Sequence, residues 1–334
     1  RVTGVQTCAL PILGACLSQG RAQTKSAVSY KNPVVDIAMP DPTVIKAADG
    51  YFYVYATEST RNVPIMKSKD LVEWTYCNTA FTNKTRPRFE PKAGIWAPDI
   101  NYINGKYVLY YAMSVWGGEQ TCGIGVATAN SPQGPFTDHG KMFRSNEIGV
   151  QNSIDPSLLQ YEGRNYLVWG SFRGIYVIEL TTDGLSIMPG AKKKRIAGTA
   201  FEAVYIHKHD DYYYMFASIG SCCQGVKSTY KVVVGRSKKV WGPYKDKTGK
   251  PMLKNGYSLV IGANDHFVGN GHGSQIIRDD AGQDWLLYHG FSRSTPENGR
   301  ILLLDQIKWN QEGWPYVEGG SPSYETQKAP VFNN

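Results

Sequence analysis

The chain has 334 residues, 42% apolar and 19% charged, with 35 Gly, 18 Pro, 8 Trp, 22 Tyr and 11 Phe, a composition that excludes disordered, collagenous and coiled-coil proteins. Half of the net charge of +8 comes from Arg1, Arg21, Lys25 and Lys31, in an opening stretch without acids, so the rest of the chain is only weakly basic. Nucleic acid is therefore not expected as a partner, and the one basic run, Lys192-Lys193-Lys194-Arg195 after Met188-Pro189-Gly190, is read as a solvated turn.

No apolar run reaches the roughly 18 residues needed to cross a bilayer, so no membrane span is expected. Cys8 to Leu17 is short and apolar and is followed by polar Ser18 to Ser29, which resembles the tail of a secretory signal. Leu13-Gly14-Ala15-Cys16 resembles a bacterial lipobox, and Arg1 to Ile12, without an initiator Met, is similar to translated adapter sequence. Residues 1–31 are expected to be a signal remnant or assembly artefact outside the fold, and 32–334 one catalytic domain. The expected location is outside the cytoplasm: secreted, periplasmic or lipid-anchored at a bacterial cell surface.

From residue 41 onward one pattern recurs. Asp41-Pro42-Thr43-Val44-Ile45, a turn at Asp49-Gly50 and Tyr51 to Ala56 read as strand, turn and strand. The same grammar returns at Asp99 to Tyr102 with Asn104-Gly105 and Tyr107 to Met113, and at Asp155 to Leu159 with Glu162-Gly163 and Tyr166 to Ser171. A fourth copy runs Glu202 to Ile206, Asp210-Asp211 and Tyr213 to Ala217; a fifth runs Gly273 to Ile277, Ala281-Gly282 and Trp285 to His289. Each copy is followed by a further two-strand segment: Val63 to Trp74, Gly123 to Phe136, Gly174 to Ser186, Tyr230 to Tyr244 and Arg300 to Trp314. The copies recur roughly every 45 to 60 residues, with one longer gap, as four-stranded blades do. No long segment has helical spacing of apolar residues. The predicted fold is all-β, a five-bladed β-propeller with four antiparallel strands per blade and its active site at the central funnel; two β-sandwiches are the alternative.

The first strand of each blade lines the channel, which gathers Asp41, Asp99, Asp155 and Glu202 near the axis as residues at matching positions. Asp-Pro also starts a strand by bonding its carboxylate to nearby N–H groups, and that structural role, or a contact to a substrate hydroxyl, is kept for Asp99. Several acids in one funnel raise one another's pKa, and a raised acid paired with an ionised carboxylate is what glycoside cleavage needs. Cys77, Cys122 and the adjacent pair Cys222-Cys223 form no zinc motif; the pair is read as two partly buried thiols in a tight turn.

Taken together, Pro40-Asp41-Pro42, Trp96-Ala97-Pro98-Asp99-Ile100, Ser153-Ile154-Asp155-Pro156-Ser157, Trp169-Gly170-Ser171-Phe172, Phe201-Glu202-Ala203, Cys222-Cys223-Gln224-Gly225, Gly271-His272-Gly273-Ser274 and Tyr288-His289-Gly290 resemble glycoside hydrolase family 43, and within it the arabinanases, over about residues 33 to 320. The resemblance implies inverting hydrolysis of α-1,5-L-arabinofuranosyl linkages in arabinan and pectic side chains. Asp41 would be the general base, Glu202 the general acid and Asp155 the residue that tunes and holds Glu202. Trp96, Trp116, Asp99, Ser171 and His289 would contact substrate, and His272 would reach a structural Ca2+ on the axis; no organic cofactor and a monomer are expected. Two departures stand out: Pro40 where many relatives have His, and Arg173 where many arabinanases carry an aromatic residue. The second leaves endo against exo cleavage open. An exo-acting α-L-arabinofuranosidase or β-xylosidase, and a glycan-binding propeller without activity, are the competing readings.

Overall fold

The computed structural model describes residues 28–333. The first three blades are consecutive meanders. Blade 1 is Thr43–Lys46, Phe52–Tyr55, Pro64–Ser68 and Thr75–Thr79. Blade 2 is Gly94–Ile103, Lys106–Ser114, Gly123–Ala129 and Thr137–Arg144, and blade 3 is Ser157–Tyr161, Arg164–Trp169, Ile175–Glu179 and Lys194–Ala197. Blade 4 is Glu202–His209, Tyr212–Ile219, Lys231–Ser237 and Ser258–Ile261. The predicted five-bladed, all-β architecture is the one observed, and the basic run ends in the outer strand of blade 3, where Lys194 and Arg195 are exposed.

Blade 5 departs from the sequence reading twice. Its inner strand is longer than Gly273 to Ile277 and is broken at His272 into Phe267–Gly271 and Ile277–Arg278. Asp284–Ser292 and Ile301–Trp309 follow, but the fourth strand comes from the other end of the chain, Val35–Ala38, with Val35 opposite Leu302 and Ala38 opposite Ile301. Ordered structure also begins before residue 32: Ser29–Tyr30 pairs with Gln327–Lys328, and the buried Tyr30 hydroxyl donates to Leu304 O at 2.8 Å. The boundary expected at residue 31 therefore falls inside the described fold; the signal-like segment lies outside the described residues.

The ring closes because the side chains of each strand alternate between its two faces, so every blade feeds two inter-blade cores. In blade 1 Tyr53 and Tyr55 pack on Leu109 and Tyr111 of blade 2, while Val54 packs on Leu287 and Leu304 of blade 5. Val108 and Tyr110 turn to Leu167 and Trp169, Val168 to Val204 and Met215, and Phe216 to Leu286 and Tyr288. These side chains are almost wholly buried. Burying each one stabilises the ring by roughly 1.5–3 kcal/mol before entropy is counted.

Candidate active site

Each blade carries a residue in the left-handed backbone region within its inner strand or within two residues of it: Asp41 (φ 53°), Ala97 (42°), Asp155 (54°), Ala203 (53°) and His272 (50°). Non-glycine residues are uncommon there and pay strain of order 1 kcal/mol or more, so five of them in register mark a shared kink. In four blades a side chain captures the kinked residue's N–H. His289 Nδ1 takes Asp41 N–H at 3.0 Å, Thr57 Oγ1 takes Ala97 N–H at 2.7 Å, Asp155 Oδ2 takes Ala203 N–H at 3.0 Å and Ser218 Oγ takes His272 N–H at 2.9 Å. This register corrects the sequence alignment of the four acids. Asp41 and Asp155 occupy matching positions, Glu202 stands one residue before the kink in line with Trp96, and Asp99 stands two residues after its kink in line with Thr43.

Asp41 is held as an anion. Burial alone would push its carboxyl up, but Arg300 foremost, then His272, outweigh that and hold it well below the usual carboxylate range. Arg300 Nη1 donates to Oδ1 at 2.7 Å, His272 Nδ1 lies 3.2 Å from the same oxygen, and Thr57 Oγ1 donates to Oδ2 at 2.6 Å. His289 Nδ1 is also 3.3 Å from Oδ1, but it accepts the Asp41 N–H, and burial followed by Arg300 keeps its ring neutral, so the contact is not an ion pair.

Glu202 and Asp155 are pushed the other way. Burial raises both, first among the causes; Glu202 and Asp41 raise Asp155 further, to about 8, and Asp41 adds to the rise of Glu202. The pair therefore retains a proton near neutrality, shared between two coupled groups. Ser171 Oγ donates to Glu202 Oε2 at 2.6 Å and accepts from Asn152 Nδ2 at 2.9 Å, and the buried Tyr230 hydroxyl bonds the same carboxyl. Tyr230 stacks on His289 with centroids 5.7 Å apart. A Cβ on Gly271 would stand 2.2 Å from Cδ1 of Tyr230, which explains the glycine before His272.

Of the expected substrate contacts, Trp96 and Trp116 lie together, with centroids 5.4 Å apart and Trp116 78% exposed. Ser171 and His289 are corrections to the sequence reading: they are 1% and 0% exposed and stand behind Glu202 and Asp41, positioning them and closed off from a sugar. Asp99, kept for a structural role or a substrate hydroxyl, has structural partners. It is buried in the axial channel, accepts Leu158 N–H, Asn101 Nδ2 and Gln275 Nε2 at 2.7, 2.7 and 3.0 Å, and so ties blades 2, 3 and 5 together. Arg173 is paired at 2.8 Å with Glu119 on the rim between blades 2 and 3. Cys222 and Cys223, read as thiols, are joined as a disulfide in the loop leading to Tyr230.

Burial lifts Asp99 to about 7, from 3.8. The folded state then holds a proton that the unfolded chain releases, so stability falls as pH rises between about 4 and 7. Asp99→Asn is expected to flatten that slope when melting is followed by calorimetry across this range; an unchanged slope would show that Asp99 is ionised in the fold.

Arg300, Thr57, Tyr230 and Ser218 were not singled out from the sequence. Thr57 and Ser218 had a signal, since Thr57, Ser114, Ser171 and Ser218 each sit at or near the end of a second strand; Arg300 and Tyr230 had none. A cation at His272 would find little protein oxygen. Its Nδ1 faces Asp41, whose Oδ1 serves Arg300, and Glu202 Oε2 serves Ser171. That set fits only a largely hydrated ion with one imidazole ligand.

A funnel that keeps one carboxyl ionised and two neighbouring ones raised is the equipment of an acid–base glycoside hydrolase. The family model "Glycosyl hydrolases family 43" matches residues 30–315, and the chain belongs to that family. The chain is 37% identical over 290 residues to the Bacillus subtilis "Extracellular endo-alpha-(1->5)-L-arabinanase 1", covering 82% of this chain and 86% of the relative. It is 36% identical over 307 residues to the Cellvibrio japonicus "Extracellular exo-alpha-(1->5)-L-arabinofuranosidase ArbA", covering 83% and 86%. Among solved structures, Cellvibrio cellulosa α-L-arabinanase complexed with arabinohexaose superposes with a TM-score of 0.78 at 33% identity, over 86% of this chain and 98% of that one.

Proposed function

We propose that this glycoside hydrolase cleaves internal α-1,5-L-arabinofuranosyl linkages of arabinan with inversion. The reading is carried by one observation, the opposite pKa displacement of Asp41 and Glu202 in one funnel, and the endo assignment is supported by the relatives named endo-arabinanases. Asp41 takes a proton from water as the water oxygen bonds to the anomeric carbon; the glycosidic C–O bond breaks and its oxygen receives the Glu202 proton. Asp155 holds Ala203 N–H next to Glu202, while burial and the Asp41 charge keep the Glu202 proton, and Trp96 and Trp116 offer their faces to the arabinose chain. His272 holds Asp41, and its remaining nitrogen would bind a hydrated Ca2+ whose role is structural.

Linear 1,5-arabinan digested over time, with product length and anomeric configuration followed by chromatography and NMR, is expected to give short oligomers first and inverted reducing ends. Arabinose alone from the outset would transfer the chain to the exo reading; retained configuration would remove the base role of Asp41. Thermal unfolding of the EDTA-treated protein is expected at a lower melting temperature, restored by Ca2+, and an indifferent melting curve would dismiss the ion. We further propose a monomeric, single-domain catalytic unit acting outside the cytoplasm, as the relatives named extracellular do. Among the described residues no helix is long and apolar enough to cross a membrane. Activity confined to the cytoplasmic fraction, or a solution mass above 37.1 kDa, would count against it.

A further inference from the structure

The inner strand of blade 4 carries more chemistry than Glu202. Five residues on, about 16 Å along the strand at 3.3 Å per residue, lies His207, and His209 follows on the same face. Asp284, at the start of the second strand of blade 5, faces both, and one ligand atom from each of the three lies within 4.8 Å of the others. All three are partly or wholly buried, so the cluster is not a chance meeting of solvated surface groups.

Its surroundings orient it. Trp309 Nε1 donates to Asp284 Oδ2 at 2.7 Å, and the Trp309 ring stacks on His209 with centroids 3.7 Å apart and planes 5° from parallel. His209 Nε2 lies 3.5 Å from Asp210 Oδ2, which leaves Nδ1, 3.8 Å from Asp284 Oδ2, as the nitrogen turned inward. The Asp210 side chain is 84% exposed and makes no hydrogen bond to His209 here, but it is near enough to take the Nε2 proton's hydrogen bond once Nδ1 ligates, the usual outer-shell role of a carboxylate behind a histidine metal ligand. Arg278 Nη1 approaches Asp284 Oδ1 at 3.5 Å, from a side chain 63% exposed that can swing away.

We propose that His207, His209 and Asp284 form a second metal site, for Zn2+, clasping blades 4 and 5 at the end of the strand away from Glu202. Two imidazoles and one carboxylate suit zinc far better than calcium or magnesium, and water would fill a fourth, tetrahedral position. With Zn–N and Zn–O bonds of about 2.0–2.2 Å the ligand atoms would draw in to about 3.3 Å, a change that side-chain rotation supplies. The site takes no part in hydrolysis; it fastens one inter-blade seam.

Titration of the whole protein with ZnCl2 by calorimetry is expected to show an ion whose binding survives His272→Ala but weakens at least ~100-fold in His207→Ala and His207→Gln, with arabinan cleavage unchanged. Trp309→Phe, which removes the outer-shell donor and shrinks the ring stacked on His209, is expected to weaken binding ~10–100-fold. Co2+ in place of zinc should give the intense visible absorption of a tetrahedral centre in wild type and lose it in the His207 variants. Absence of Zn2+ uptake by the wild type, or uptake and a cobalt spectrum equal in wild type and a folded His207 variant, would overturn the assignment.

Discussion

Replacing Glu202 by Gln is expected to lower kcat on linear arabinan by ~10²–10⁴-fold, the range general acid catalysis contributes. The amide fills the same space and can still bond Ser171 and Tyr230, so the fold should survive; what it lacks is a transferable proton. The size of the loss should depend on the leaving group. On an aryl arabinoside whose phenolate departs unaided, the deficit should shrink to a small fraction of that on arabinan. Equal losses on both substrates would mean that Glu202 does not protonate the leaving oxygen. In the wild type the raised Glu202 carboxyl sets the alkaline limb of the pH profile, and activity falls as that proton is lost.

Asp41→Asn is expected to cost a similar ~10²–10⁴-fold, but irrespective of leaving group, because the water then has no base. Here stability should suffer too, since the variant leaves the Arg300 guanidinium, 17% exposed, without its anion. Breaking a buried pair by removing one partner costs about 3–5 kcal/mol. Adding Arg300→Met should recover melting temperature without recovering activity, which separates the catalytic from the structural role of the carboxylate. Arg300→Met alone should move the acid limb of the profile upward, because the strongest group holding Asp41 down is gone. An acid limb that stays in place would assign it to another residue.

Much of this site can be read from the chain because a propeller writes its axis as a repeat. Asp41 and Asp155 share the Asp-Pro step at the kink, and that repetition exposes them. Glu202 is offset by one residue, and Asp99 by two, so a simple alignment of acids puts four residues in one ring where the backbone makes three. Whether a side chain faces the funnel or stands behind another is decided by packing between blades, which a repeat cannot report. Ser171 and His289 therefore read as sugar contacts when they are props. Arg300 reaches Asp41 through a strand pairing formed by opposite ends of the chain, and no local pattern foreshadows it. The disulfide between Cys222 and Cys223 is equally silent, since neighbouring cysteines look alike whether bridged or free.

That pairing of opposite ends has a consequence for when the enzyme comes into being. Val35–Ala38 leaves the ribosome long before its partner Ile301–Trp309, and Met39 N–H bonds Arg300 O at 2.8 Å just before the chain turns to Asp41. Blades 1 to 4 can assemble from near neighbours as they emerge, but the final seam depends on contacts of very long sequence separation, the slow kind in folding. Until then Asp41 has neither Arg300 nor His289 beside it. The same closure that completes blade 5 thus completes the base, so a chain lacking either strand is expected to lack hydrolytic competence.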